Sequence, residues 1–150
     1  MKIKEILGAI LLSNIAIASF LSANPAMAAK VSLNHHPTSH TILLAQINSK
    51  YVKDADKNLG SALEAMNNAS EAKSNEDAAD YFDTAMEHLK SAAAALKSGG
   101  MPDAAQKLEN AIQALNDAVE TDEEKQQDKL IEQAIDALTQ VDAAVKEALS

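Results

Sequence analysis

The chain is predicted to be all-α: an antiparallel four-helix bundle built from a duplicated helical hairpin. Three observations predict this class. From about residue 49 onward, apolar residues recur in alternating steps of three and four, the rhythm of a helix with one buried face. Alanine is abundant while aromatic residues make up only 3% of the chain, a composition suited to closely packed helices rather than sheet. The sequence also aligns on itself without a gap when shifted by 49 positions, as Leu59 falling on Leu108 illustrates.

The first helix is expected from about Ser49 to Ala72, with Val52, Ala55, Leu59, Ala62, Met66 and Ala69 on its apolar stripe. "SNED" (74–77) then supplies the acids that favour a helix start. The second helix carries Ala78, Phe82, Ala85, Leu89, Ala92 and Leu96. "KSGGMPD" interrupts it: Gly99 and Gly100 suit a C-terminal cap, and Pro102 suits the first turn of the next helix. Ala104, Leu108, Ala111, Leu115 and Ala118 mark the third helix. Thr121 with Glu124 predicts a capping box opening the fourth, which runs through Ile131, Ala134, Leu138, Val141, Val145 and Ala148. Short connections make neighbours antiparallel, and the three-four rhythm suits crossing angles of about 20°.

The self-alignment is specific. "ALEAMNNA" (62–69) falls on "AIQALNDA" (111–118), and "YFDTAMEHL" (81–89) on "LIEQAIDAL" (130–138). Two Ala-rich helices of equal period match somewhere by chance. One register kept across both helices and their turn instead points to a repeated unit, with hairpins at 49–98 and 101–149.

Ahead of the helices lie two segments of different character. Residues 1–28 open with Lys2 and Lys4, continue through a mostly apolar stretch from Ile6 to Leu21, and close on Ala26-Met27-Ala28 after Pro25. That order predicts a secretory signal cleaved after Ala28, and hence a periplasmic or secreted protein. The apolar stretch is interrupted by Ser13, Asn14 and Ser19 and falls short of the roughly 20 residues a spanning helix needs. Residues 29–48 read as a flexible linker with three of the four histidines, followed by the 49–150 bundle.

Charge and cysteine content bound the partners. The chain has 13 basic residues, all lysine, against 22 acids. Losing Lys2, Lys4 and Glu5 with the signal leaves 11 against 21, a net charge of −10. Such a surface repels nucleic acid and anionic lipid, so neither nucleic acid nor, after cleavage, membrane is an expected partner. The absence of cysteine excludes disulfides, thiolate metal sites, c-type haem attachment and a lipidated cysteine.

"AMEHLKSAAAALKSGGMPDAAQKLENAIQAL" (85–115), together with the signal ahead of it, resembles the bacterial small metal-binding protein family. The resemblance covers about half of the chain after the signal. It implies a periplasmic four-helix bundle of Ala-rich hairpins that binds metal through histidines on its helices. In this sequence only His88 matches such a position, and the self-alignment places Ala137 opposite it.

The candidate metal ligands are His35, His36 and His40, in "NHHPTSH" (34–40). Their spacing lets a flexible segment present two or three imidazoles to Cu(II), Ni(II) or Zn(II), with modest affinity because nothing preorganises them. The competing interpretation of the same stretch is a polar spacer. His88 lies about 80° from the centre of its helix's apolar stripe, a flank position that suits a structural histidine. Met66 lies at a different level from His88, by roughly 9 Å at 1.5 Å per residue, so no b-type haem is expected between them. Glu76, Asp80, Asp83 and Glu87 form an acidic row opposite the core stripe, read as a solvated face.

No nucleophile elbow, HExxH or phosphate loop is present, and Glu87 and His88 are adjacent rather than in the Glu-x-x-His spacing of di-iron bundles. The expected function is therefore non-enzymatic, with no cofactor beyond weakly held divalent ions. The alternative is a tetratricopeptide-like interaction module of the cell envelope, with an open concave face for a protein partner.

Overall fold

The computed structural model of the chain describes residues 3, 6–8 and 47–150. The described residues contain helix and no strand. Four long helices follow one another: α1 (Ser49–Glu71), α2 (Asn75–Ser98), α3 (Pro102–Glu120) and α4 (Glu124–Leu149). None of the described helices is long and apolar enough to cross a membrane.

Helix ends follow from local chemistry. The Asn48 side chain accepts from the Lys50 N–H at 3.1 Å and so caps α1. The Ser74 hydroxyl accepts from the Asp77 N–H at 3.0 Å at the start of α2, where Glu76 and Asp77 add favourable negative charge. At the other end of α2, the Met101 N–H donates to the Leu96 carbonyl at 2.9 Å and the Gly100 N–H to the Lys97 carbonyl at 3.2 Å. That paired pattern is a Schellman turn, and it requires the left-handed φ of 80° adopted by Gly100. Pro102 then begins α3. A further bond, Asn48 N–H to the Gly99 carbonyl at 3.0 Å, ties the start of α1 to the end of α2.

One expectation fails here. Thr121 and Glu124 do not form a capping box: α4 is preceded by Glu123, with no side-chain cap. Thr121 still belongs to the end of α3, its N–H bonded to the Asp117 carbonyl at 3.0 Å. Its hydroxyl accepts a long bond from the Glu123 N–H at 3.4 Å. Glu124 is thus the first residue of α4 rather than its third, out of register for the reciprocal bond.

The buried residues of all four helices form one hydrophobic cluster, fed by the three-four stripes. Ala62, Ala69, Ala85, Ala92, Ala111 and Ala118 are fully buried, so backbones approach closely along much of the core. α1 packs chiefly on α2, and α3 chiefly on α4; α2 also meets α3, and α1 meets α4 less closely. Among the described residues Gln127 is the buried polar one, and its amide donates to the Ala118 carbonyl at 2.9 Å, satisfying the end of α3. Ile3, Ile6 and Leu7 are helical and join the same cluster, at 4%, 2% and 0% exposure. Apart from these and Gly8, the expected 1–28 signal lies outside the described residues, as does the 29–48 linker except Ile47 and Asn48.

Candidate functional site

His35, His36 and His40, the sequence-derived metal ligands, lie outside the described residues. His88 is described and sits half-buried on α2, the flank position its helical angle predicts. Its Nδ1 lies 3.3 Å from Oδ1 of Asn58 on α1. Met66 is buried nearer the α1–α2 turn, whereas Asn58 is about as far before that turn as His88 is after it. The contact therefore spans the α1–α2 groove at one level.

Between α3 and α4 the corresponding groove is open. A shallow depression of about 380 Å³ is lined by Lys107, Asn110, Gln133, Asp136 and Gln140 around Ala114 and Ala137. Ala137 is the residue that a shift of 49 places on His88, and Lys107 the one it places on Asn58. Ala137 has no side chain that reaches across the groove, and Lys107 is exposed. The groove's polar lining residues are exposed, so water competes with anything that enters.

The acidic row faces solvent: Glu76, Asp80, Asp83 and Glu87 are all exposed. Among the described residues no three His, Cys, Asp or Glu side chains converge to hold a metal ion.

The seam between α1 and α4 contains a charged cluster that periodicity alone does not reveal. Lys146 Nζ donates to Asp142 Oδ2 at 2.6 Å, one turn apart on α4. The other carboxylate oxygen, Asp142 Oδ1, is buried without a hydrogen-bond donor, a costly arrangement for a charged group. Asp56 stands on α1 near them. Burial pushes its pKa above the ordinary 3.8, the Asp142 charge pushes it further, and Lys146 partly offsets both. Both aspartates lie at the edge of an apolar stripe, where a half-buried acid and a solvated one look alike in sequence. The available signal was the self-alignment, which places Ala105 on Asp56 and Ala93 on Asp142. No protein-family model, no curated protein and no solved structure matches the chain.

Proposed function

We propose that the chain is an exported, non-enzymatic four-helix bundle of two like hairpins that binds divalent metal ions weakly through His35, His36 and His40. The observation that carries the metal reading is the spacing itself: three imidazoles within "HHPTSH" (35–40), on a chain whose net charge of −9 attracts cations. The resemblance of residues 85–115 to the small metal-binding protein family supports the same class of function, with the ligands moved from the helices to the segment ahead of them.

The duplicated-hairpin reading is supported by burial at matched positions. Leu59 and Leu108, Ala62 and Ala111, Met66 and Leu115, and Ala69 and Ala118 are buried in pairs. So are Phe82 and Ile131, Ala85 and Ala134, Leu89 and Leu138, and Leu96 and Val145. The packing of α1 against α4 supports a closed bundle over the open concave face of a tetratricopeptide-like module.

Calorimetric titration of the full chain with Cu(II) and Zn(II) tests the metal reading. Replacing His35, His36 and His40 together by Ala should abolish most of the binding, while His88→Ala should leave it unchanged. Affinity should fall as pH drops through about 6.5, where ordinary imidazoles take up the competing proton. Loss of binding in His88→Ala alone would move the site into the helices, and absence of heat in the unaltered chain would make the stretch a spacer.

A further inference from the structure

Three helix ends meet at the turn between α2 and α3. The Schellman turn ends α2, Pro102 begins α3, and the Asn48 N–H bonded to the Gly99 carbonyl ties the start of α1 to the same place. Approach there is close: a Cβ at Gly99 would stand 3.3 Å from Val52 Cγ2 and 3.4 Å from Tyr51 Cβ, both on α1. Met101 follows the left-handed Gly100, the position whose apolar side chain covers the last turn of such a helix. Its backbone is committed on both sides, the N–H donating to the Leu96 carbonyl and the carbonyl accepting from the Ala105 N–H at 3.0 Å. Its side chain makes no cap bond to α3 and instead packs against the hydrophobic cluster, partly exposed. What that side chain contributes to the turn is therefore its apolar cover.

The chain has five methionines and no cysteine, so thioethers are its only sulfur groups. Met66 and Met86 are buried, Met101 is half-buried, and Met1 and Met27 lie outside the described residues. We propose that Met101 is an oxidation site: a peroxide converts its thioether to the sulfoxide before it reaches Met66 or Met86, and the polar product loosens the turn between α2 and α3. The Sδ lone pair attacks one peroxide oxygen, and the S–O bond forms as the O–O bond breaks. The transferred oxygen's proton passes to the departing hydroxide, which leaves as water. Sulfur loses two electrons and the peroxide gains two. Access decides the order, because the two buried side chains must wait for the bundle to open. The sulfoxide oxygen is a polar acceptor that gains by turning to water, so the apolar cover over the last turn of α2 is withdrawn. The effect reaches α1 through the bond between Asn48 and Gly99.

The test treats the full chain with hydrogen peroxide at neutral pH and quenches samples over time. Cleavage after lysine separates the three methionines into peptides 58–73, 74–90 and 98–107, so mass spectrometry follows each. Peptide 98–107 should gain an oxygen first, and the thermal midpoint should fall as it does so. The Asn48, Gly100 and Met101 amides should exchange hydrogen faster in that material. Met101→Leu, which keeps the apolar cover at similar volume, should begin with a near-equal midpoint and lose the early fall. Oxidation of Met66 or Met86 no later than Met101 overturns the assignment of the site. A midpoint unchanged by the early oxidation, or an equal fall in the Leu variant, overturns the loosening of the turn. So does a rise, which would mean that the sulfoxide oxygen caps the uncapped start of α3.

Discussion

A carboxyl group that holds its proton more tightly in the folded chain than in the unfolded one makes folding easier in acid. Asp56 is such a group, and the cause is its half-buried place beside Asp142. Its contribution to stability is fully present below about pH 3.8 and is lost as pH rises through its raised value, so at neutral pH its ionisation opposes folding. Asp56→Asn should therefore raise the thermal midpoint at neutral pH and flatten the dependence of that midpoint on pH in the acid range. Calorimetric scans of both proteins across that range check it, and an Asn variant less stable at neutral pH would reverse the sign assigned to the site. Asp56 was not legible as a site residue because its neighbours in sequence, Asp54 and Lys57, are ordinary exposed charges. Only the helix opposite determines which charge becomes half-buried.

Helices were legible for a different reason. Each stripe residue from Val52 to Ala69, and from Ala78 to Leu96, is buried, because a period of about 3.6 is imposed by the backbone itself and survives any choice of neighbour. Connections obey finer rules. The Gly99-Gly100 break was readable since few residues tolerate the left-handed conformation, and Gly100 adopts it. The α3–α4 link was misread, because Thr121 and Glu124 satisfy the spacing of a capping box while two extra residues of connection move the helix start. At the Schellman turn, Gly100→Ala should cost about 1–2 kcal/mol, the penalty of placing a Cβ in left-handed backbone. Urea denaturation measures it. No change would mean that the turn relaxes to another geometry.

At the scale of the molecule, the core is thin in large side chains and rich in alanine, so each leucine carries a large share of the burial. Leu89 and Leu138, 49 positions apart, are both buried, at 1% and 7% exposure. Leu89→Ala should cost about 2–5 kcal/mol, and Leu138→Ala a value toward the lower end of that range. A change at exposed Asp83 should stay within about 0.5 kcal/mol. Chemical denaturation with a common slope ranks the three, and a Leu138 variant as silent as Asp83 would break the correspondence between hairpins. The all-helical class and its buried stripes were thus readable from one sequence, because burial depends on pattern. The partner of any one surface was not, because it depends on which faces meet and on what solution supplies.

The burial of Ile3, Ile6 and Leu7 in the core cluster sets a clock. These residues are made before the helices that share their cluster, which extend to Val145. At about 5–20 residues per second, synthesis of residues 49–149 occupies roughly 5–20 s. Helical proteins with mostly local contacts then fold in microseconds to milliseconds. A cellular component that must grip Ile3, Ile6 and Leu7 has seconds while residues 49–149 are being added, and at least three orders of magnitude less time once α4 is complete. Recognition of these residues is a race against the protein's own folding, and the ribosome holds the stopwatch.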